Sequence, residues 1–153
     1  MADQEQCTFC AIVRGDRPGW TVFGDEVAVG FLDARPVFKG HVLLVPRAHV
    51  ETLTDLPVEL VGPFFQRVRA VAGAVERGLA AGGTFVAMNN RISQSVPHLH
   101  VHIVPRNRKD GLRGFFWPRT RYQDAAEAES YAARIRAALA PGAEEAAAPP
   151  AAC

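Results

Sequence analysis

At 153 residues, with 48% of them hydrophobic, the chain can bury a sizeable core and lacks the composition of a disordered protein. Seventeen basic residues oppose sixteen acidic ones, a net charge of +1 that argues against a global nucleic-acid or membrane surface. No apolar run approaches the ~18 residues of a membrane span, residues 1–6 are polar, without a signal-peptide core, and three cysteines are too few for a disulfide framework. A cytoplasmic protein is expected.

In chain order, residues 7–13 read as a short helix or turn closed by Gly15. Residues 20–23 and 27–32 read as two short strands joined by a turn at Gly24 and Asp25. Gly40 opens a third strand, 41–45, which Pro46 stops. Thr54, Asp55 and Pro57 mark a helix start. Beyond them Val61, Phe64, Val68, Val71, Val75 and Leu79 form one apolar stripe, with Pro63 pointing to a late start and Gly82 and Gly83 to the end. Residues 84–88 form a fourth strand and 97–105 a fifth. A shorter helix follows over 124–139, with Tyr131, Ile135 and Leu139 at spacing four. From Pro141 onward Ala, Pro, Glu and Gly dominate. The expected organisation is one domain over 1–140 and a disordered tail over 141–153. The fold class is α+β: a five-stranded antiparallel sheet covered on one face, with one long helix and a short C-terminal helix.

The fifth strand carries the chemistry. His98, His100 and His102 alternate with Leu99, Val101 and Ile103, and strict alternation places the three imidazoles on one face. Neighbours on that face lie about 6.5–7 Å apart, close enough to converge on one small anionic group. Strand stability does not ask for histidine. Its chemistries are metal ligation, proton transfer near neutral pH and nucleophilic attack.

The run from Gln94 through Arg106 resembles the histidine triad family, whose signature is three histidines alternating with hydrophobics. A second match, Gly40-His41 through His49, is similar to that family's Gly-His strand followed by Pro and a further histidine. The resemblance covers about residues 7–118. It implies a dimerising α+β fold and a nucleotide-binding enzyme acting at the α-phosphate of a phosphoramidate, adenylate or dinucleoside polyphosphate. His100 would attack phosphorus to form a nucleotidyl-imidazole, which water would cleave. His102 would stabilise phosphoryl charge. Ser95 would assist the leaving group, Asp33 would bind ribose hydroxyls, and His41 would stand near the site. Gln94 would hold the loop before the triad, and Asn89 or Asn90 would reach a phosphate or the leaving group.

Cys7-x-x-Cys10 alone is a weak signal, open to chance or redox chemistry, although no strand precedes it as in a thioredoxin-like motif. By resemblance to bacterial relatives, Cys7, Cys10, His49 and His98 would hold a structural Zn2+, which two thiolates and two imidazoles suit. The chain departs from the family at 89–94, where a glycine-rich loop is expected and none occurs. Arg106, Arg108, Lys109, Arg113, Arg119 and Arg121 form either a solvated loop or a cationic lip. The apolar residues 114–118 point to surface covered by a second subunit. The competing functions are a nucleotidyltransferase or phosphorylase using another acceptor, and a non-catalytic nucleotide-binding protein. A nucleic-acid deadenylase would want an added nucleic-acid-binding module, which the residues after Asp124 are not expected to supply.

Overall fold

The computed structural model describes residues 6–112 and 120–138. They fall into two compact units, one reaching Asp110 and one beginning at Gly111. In the first unit, helix α1 (Thr8–Arg14) precedes strands β1 (Thr21–Gly24), β2 (Ala28–Leu32) and β3 (Val42–Pro46). A 3-10 turn at Leu53–Asp55 leads into α2 (Val58–Leu79), and β4 (Gly83–Ala87) and β5 (Val101–Arg106) close the unit. The five strands form one antiparallel sheet in the order β1-β2-β3-β5-β4. The last strand in sequence is thus inserted between β3 and β4.

The long helix obeys its stripe. Phe64, Val68, Val71 and Val75, spaced three and four apart, are buried against Ala28, Val42, Leu44, Val101 and Ile103. Burial of each such side chain contributes about 1.5–3 kcal/mol. The opposite face is covered too, contrary to a sheet covered on one side. There Cys7, Phe9 and Cys10 of the α1 segment pack with Val29, Phe31, Leu43 and Val45. Both faces of β2 and β3 are therefore buried, which is why these strands read as nearly continuous apolar runs.

Two boundaries differ from the sequence reading. Helix α2 starts at Val58, and Pro63 sits inside its second turn instead of delaying it. Pro63 lies past the first four positions, whose N–H groups have no intrahelical partner, so it forgoes one bond, to the Glu59 carbonyl, and the helix continues through it. The helix ends at Leu79, and Ala80, with φ 48°, takes the left-handed cap position ahead of the glycines.

The histidine strand is also shorter than its alternation suggests. It begins at Val101, so His98 and His100 precede the ladder and only His102 lies within it. Upstream, Leu99 N–H donates to Val50 O at 2.7 Å and His98 N–H to Val96 O at 2.8 Å. The Leu99 backbone is thus tied to Val50 instead of to β3.

In the second unit, α3 (Ala125–Ala138) is capped at its start by Asp124, whose carboxylate accepts the Glu127 N–H at 2.8 Å. Tyr131 and Ile135 are exposed. Leu139 and the tail lie outside the described residues, as do residues 114–118.

Candidate functional site

The site is built on the α1-facing side of β2, β3 and β5. In the ladder Leu43 stands opposite both Phe31 and His102, and directly opposed residues share a face. A cleft of about 680 Å³ opens over this face. Phe9, Ile12, Phe31 and Leu43 supply apolar walls, Asp33, Ser95, His100 and His102 the polar groups, and Arg17, Trp20 and Arg35 also line it. Its size suits a small-molecule ligand held by apolar walls and a few fixed polar groups.

The hydrogen bonds assign tautomers to His100, His41, His102 and His98, because a carbonyl only accepts and a backbone N–H only donates. His100 Nδ1 lies 2.7 Å from the His98 carbonyl oxygen and must donate to it. Its Nε2 is left with a free lone pair. Beside it, the Val37 N–H donates to His41 Nδ1 at 3.2 Å, so the His41 proton is on Nε2. His41 Nε2 donates to His102 Nδ1 at 3.0 Å, which puts the His102 proton on Nε2. The site therefore sets an unprotonated nitrogen on His100 next to an N–H donor on His102, their ring centroids 5.0 Å apart.

Electrostatics favours the neutral forms of His102 and His41. Burial, then the neighbouring His100 and His41, push His102 down to about 4 despite the carboxylate of Asp33. Burial likewise lowers His41, against the pull of Asp33. Asp33 Oδ2 lies 3.6 Å from His41 Nδ1 while its Oδ1 accepts the Arg35 N–H at 2.8 Å. Asp33, His41 and His102 also fall within metal-ligating reach of one another. The Val37 N–H occupies the one lone pair of His41, so this group is wired as a hydrogen-bond chain.

His98 points away from the cleft's polar groups. Its Nε2 donates to the Pro46 carbonyl at 2.9 Å, which leaves the Nδ1 lone pair aimed at sulfur. That nitrogen lies 3.6 Å from Cys7 Sγ and 3.5 Å from Cys10 Sγ, and His49 Nδ1 lies 3.2 Å from Cys10 Sγ. The four ligand atoms lie within 4.8 Å of one another and could hold a metal ion. Two sulfurs and two imidazole nitrogens, that of His98 with its lone pair toward the sulfurs, fit a closed tetrahedral zinc site. Burial, foremost, lowers His98 to about 4, keeping it in the ligating form. Cys7 is a free thiol, and ligation requires both cysteines as thiolates.

The remaining predicted residues take supporting positions. Gln94 bridges two segments: its Oε1 accepts the Arg91 N–H at 2.7 Å and its Nε2 donates to Glu51 O at 2.6 Å. Asn89 donates to Ser93 O at 3.2 Å, and Asn90 accepts the Leu53 N–H at 2.7 Å. Both asparagines hold the loop, and the cleft is lined by Ser95 and Val96 beyond it. Arg91 and Ser93 adopt positive φ of 66° and 60°, which these bonds sustain where glycine would be the easier residue. His41 is 2% exposed and reaches the cleft only through His102. Arg106 pairs with Asp110. Arg113 and Arg119 lie outside the described residues. Sequence reasoning did not single out Phe9, Ile12, Arg17, Phe31 or Leu43 as site residues. For Phe9 a signal was at hand, since it sits inside the Cys-x-x-Cys motif.

Comparison with known proteins gives the same picture. A family model described as "HIT domain" matches residues 14–109. The chain is 37% identical to "Protein hit" of Bacillus subtilis over 74% of this chain and 79% of that protein. It is 31% identical to an adenylylsulfatase, HINT3, of Arabidopsis thaliana, over 71% of this chain and 56% of that one. It is also 31% identical to an adenosine 5'-monophosphoramidase, HNT1, of Candida albicans, over 77% and 82%. Among solved structures, a HIT family member from B. subtilis superposes with TM-score 0.81 at 32% identity, covering 90% of this chain and 99% of its own. A zinc-bound histidine triad protein from Mycobacterium smegmatis superposes with TM-score 0.68 at 34% identity, covering 89% and 99%. The triad, the sheet that carries it and these likenesses agree: the chain belongs to the HIT domain family.

Proposed function

We propose that the protein is a nucleotide hydrolase that cleaves at the α-phosphate of a nucleoside phosphoramidate, adenylate or dinucleoside polyphosphate through a nucleotidyl-His100 intermediate. The observation that carries this reading is the tautomer pattern: His100 Nδ1 is committed to the His98 carbonyl, leaving Nε2 as the nucleophile. Nε2 forms a bond to the α-phosphorus while the bond from phosphorus to the leaving group breaks. The leaving group departs with a proton drawn from solvent. Water then attacks phosphorus, the phosphorus–Nε2 bond breaks, and a proton returns to solvent. His102 Nε2–H donates to the phosphoryl oxygens as charge develops, and its neutral form acts as donor instead of proton source. Asp33 accepts from the ribose hydroxyls, and Ser95 lies on the leaving-group side. Two relatives named as an adenylylsulfatase and a phosphoramidase support a reaction of this class.

The same reading includes a structural Zn2+ on Cys7, Cys10, His49 and His98 and a homodimer. The cluster geometry and the zinc-bound relative support the metal. Among the described residues β4 is the last strand of the sheet, and Val86 on it is 43% exposed, which supports the second copy. Sedimentation at micromolar protein should show a dimer, and a monomer alone would refute that part.

The test of function is acid-quenched trapping with a panel of phosphoramidates, adenylates, dinucleoside polyphosphates and nucleotide sugars, with and without phosphate. The expected result is a mass-resolved nucleotidyl adduct on His100 and release of a nucleoside monophosphate. His100→Ala should lose turnover by orders of magnitude while still binding the monophosphate. Near-normal turnover in that variant, with binding intact, would overturn the assignment. Products carrying phosphate or sugar phosphate would mark a transferase.

A further inference from the structure

We propose that Phe9 is a positioning residue for His100, and that the Cys7/Cys10/His49/His98 cluster sets where Phe9 stands. The proposal rests on the reading of His100 as nucleophile and adds a route by which a remote cluster governs it.

The observations are geometric. Phe9 lies between the two cysteines on the first turn of α1, is 7% exposed, and lines the cleft beside His100. Its ring centroid is 5.2 Å from that of His100, with the planes at 82°, an edge contact close to perpendicular. Phe31 backs it at 5.3 Å and 63°, and His98 flanks it at 6.1 Å and 63°. The ring is therefore wedged between the sheet and the nucleophile.

An imidazole has two side-chain torsions, and the second has a broad, two-fold profile. The bond from Nδ1 to the His98 carbonyl selects which nitrogen faces the cleft. It leaves the ring free to tilt about that bond. Phe9 on one side and His102 on the other close off the tilt. Attack needs the reacting atoms at about 3–3.5 Å and aligned, and a misplacement of about 1 Å costs on the order of 100-fold.

The cluster reaches His100 twice. One route is the backbone of His98, whose ring faces the sulfurs and whose carbonyl holds Nδ1. The other is Phe9, whose place follows from where Cys7 and Cys10 are held. Cys7 also caps α1, its Sγ accepting the Cys10 N–H at 3.5 Å. Releasing the cysteines from His49 and His98 would free the first turn of α1 and, with it, the wedge.

The experiment compares wild type, Phe9→Leu and Cys7→Ser in reduced protein, with Phe9→Met as a second variant if Phe9→Leu does not fold. Three quantities are read: the single-turnover rate of adduct formation on His100, the calorimetric Kd for a nucleoside monophosphate, and the His100 imidazole NMR resonance without substrate. The expected result is a rate loss of about 10–100-fold in both variants, with Kd within about threefold. The resonance should shift in the same direction in both. An unchanged rate, or a loss confined to Kd, would overturn the positioning role and leave Phe9 as a wall of the cleft. A His100 resonance at its wild-type position in Cys7→Ser would overturn the coupling. Absence of any adduct in wild type would refute the hydrolase reading instead, and the resonances would still decide whether Phe9 and the cluster hold His100.

Discussion

His102 owes its proposed role to a residue it does not share the cleft with. His41 is buried, and its Nε2–H, donated to His102 Nδ1, fixes the proton of His102 on Nε2. His41→Phe removes that donor while keeping an aromatic ring. It should lower kcat by about 10–100-fold with little change in KM, since the lost interaction serves developing charge. Steady-state kinetics on the substrate found by the panel checks this. The depressed His102 also makes a pH prediction. Between its folded value of about 4 and the ordinary 6.5, the unfolded chain binds a proton that the folded chain refuses. Stability from this group is then complete above pH 6.5 and falls as the pH drops toward 4. Urea midpoints at pH 7 and pH 5 should differ less in His102→Asn than in wild type; an equal difference would show that His102 does not titrate in this window. The sequence displayed His100 and His102 because histidines in alternation are conspicuous, and Ser95 only through the family resemblance of the run that contains it. It hid what orients them, since the partners are the His98 and Pro46 carbonyls and the Val37 N–H, and backbone groups leave no mark on residue identity.

At the scale of elements, the helix stripe and the strands were legible because each follows a single period set by burial. The boundaries were not, because side-chain partners and loop contacts decide them. The alternation of 97–105 continues past the point where pairing with β3 stops, as the Leu99 N–H turns to Val50. The turn that delivers β3 shows the same dependence on local geometry. Gly40 has φ 94°, and a Cβ there would lie 2.3 Å from Leu79 Cδ1. Leu79 is half exposed and can swing aside, so the backbone conformation dominates the cost. Gly40→Ala should destabilise the fold by about 1–2 kcal/mol, read as a lower urea midpoint with unchanged m-value. Phe64→Ala removes a fully buried ring from the α2 face and should cost about 3–5 kcal/mol.

For the molecule as a whole, the Cys/His cluster joins parts of the chain that the sheet alone does not connect directly. Cys7 and Cys10 come from α1, His49 from the segment after β3, and His98 from the approach to β5. These positions span 91 residues between Cys7 and His98. A metal bound there links the first helix to both central strands and is absent from the unfolded chain's preferred states, so its binding energy adds to folding. Protein purified under reducing conditions without chelator should carry about one equivalent of zinc per chain. Removing it with a chelator should lower the midpoint of thermal unfolding, and added Zn2+ should restore it in proportion to the logarithm of free metal. Cys7→Ser should lose both the metal and the response, while His41→Phe, away from the cluster, should keep them. Reduced protein with no zinc, and with thermal unfolding unchanged by chelator or by Cys7→Ser, would show that packing alone holds α1 on the sheet.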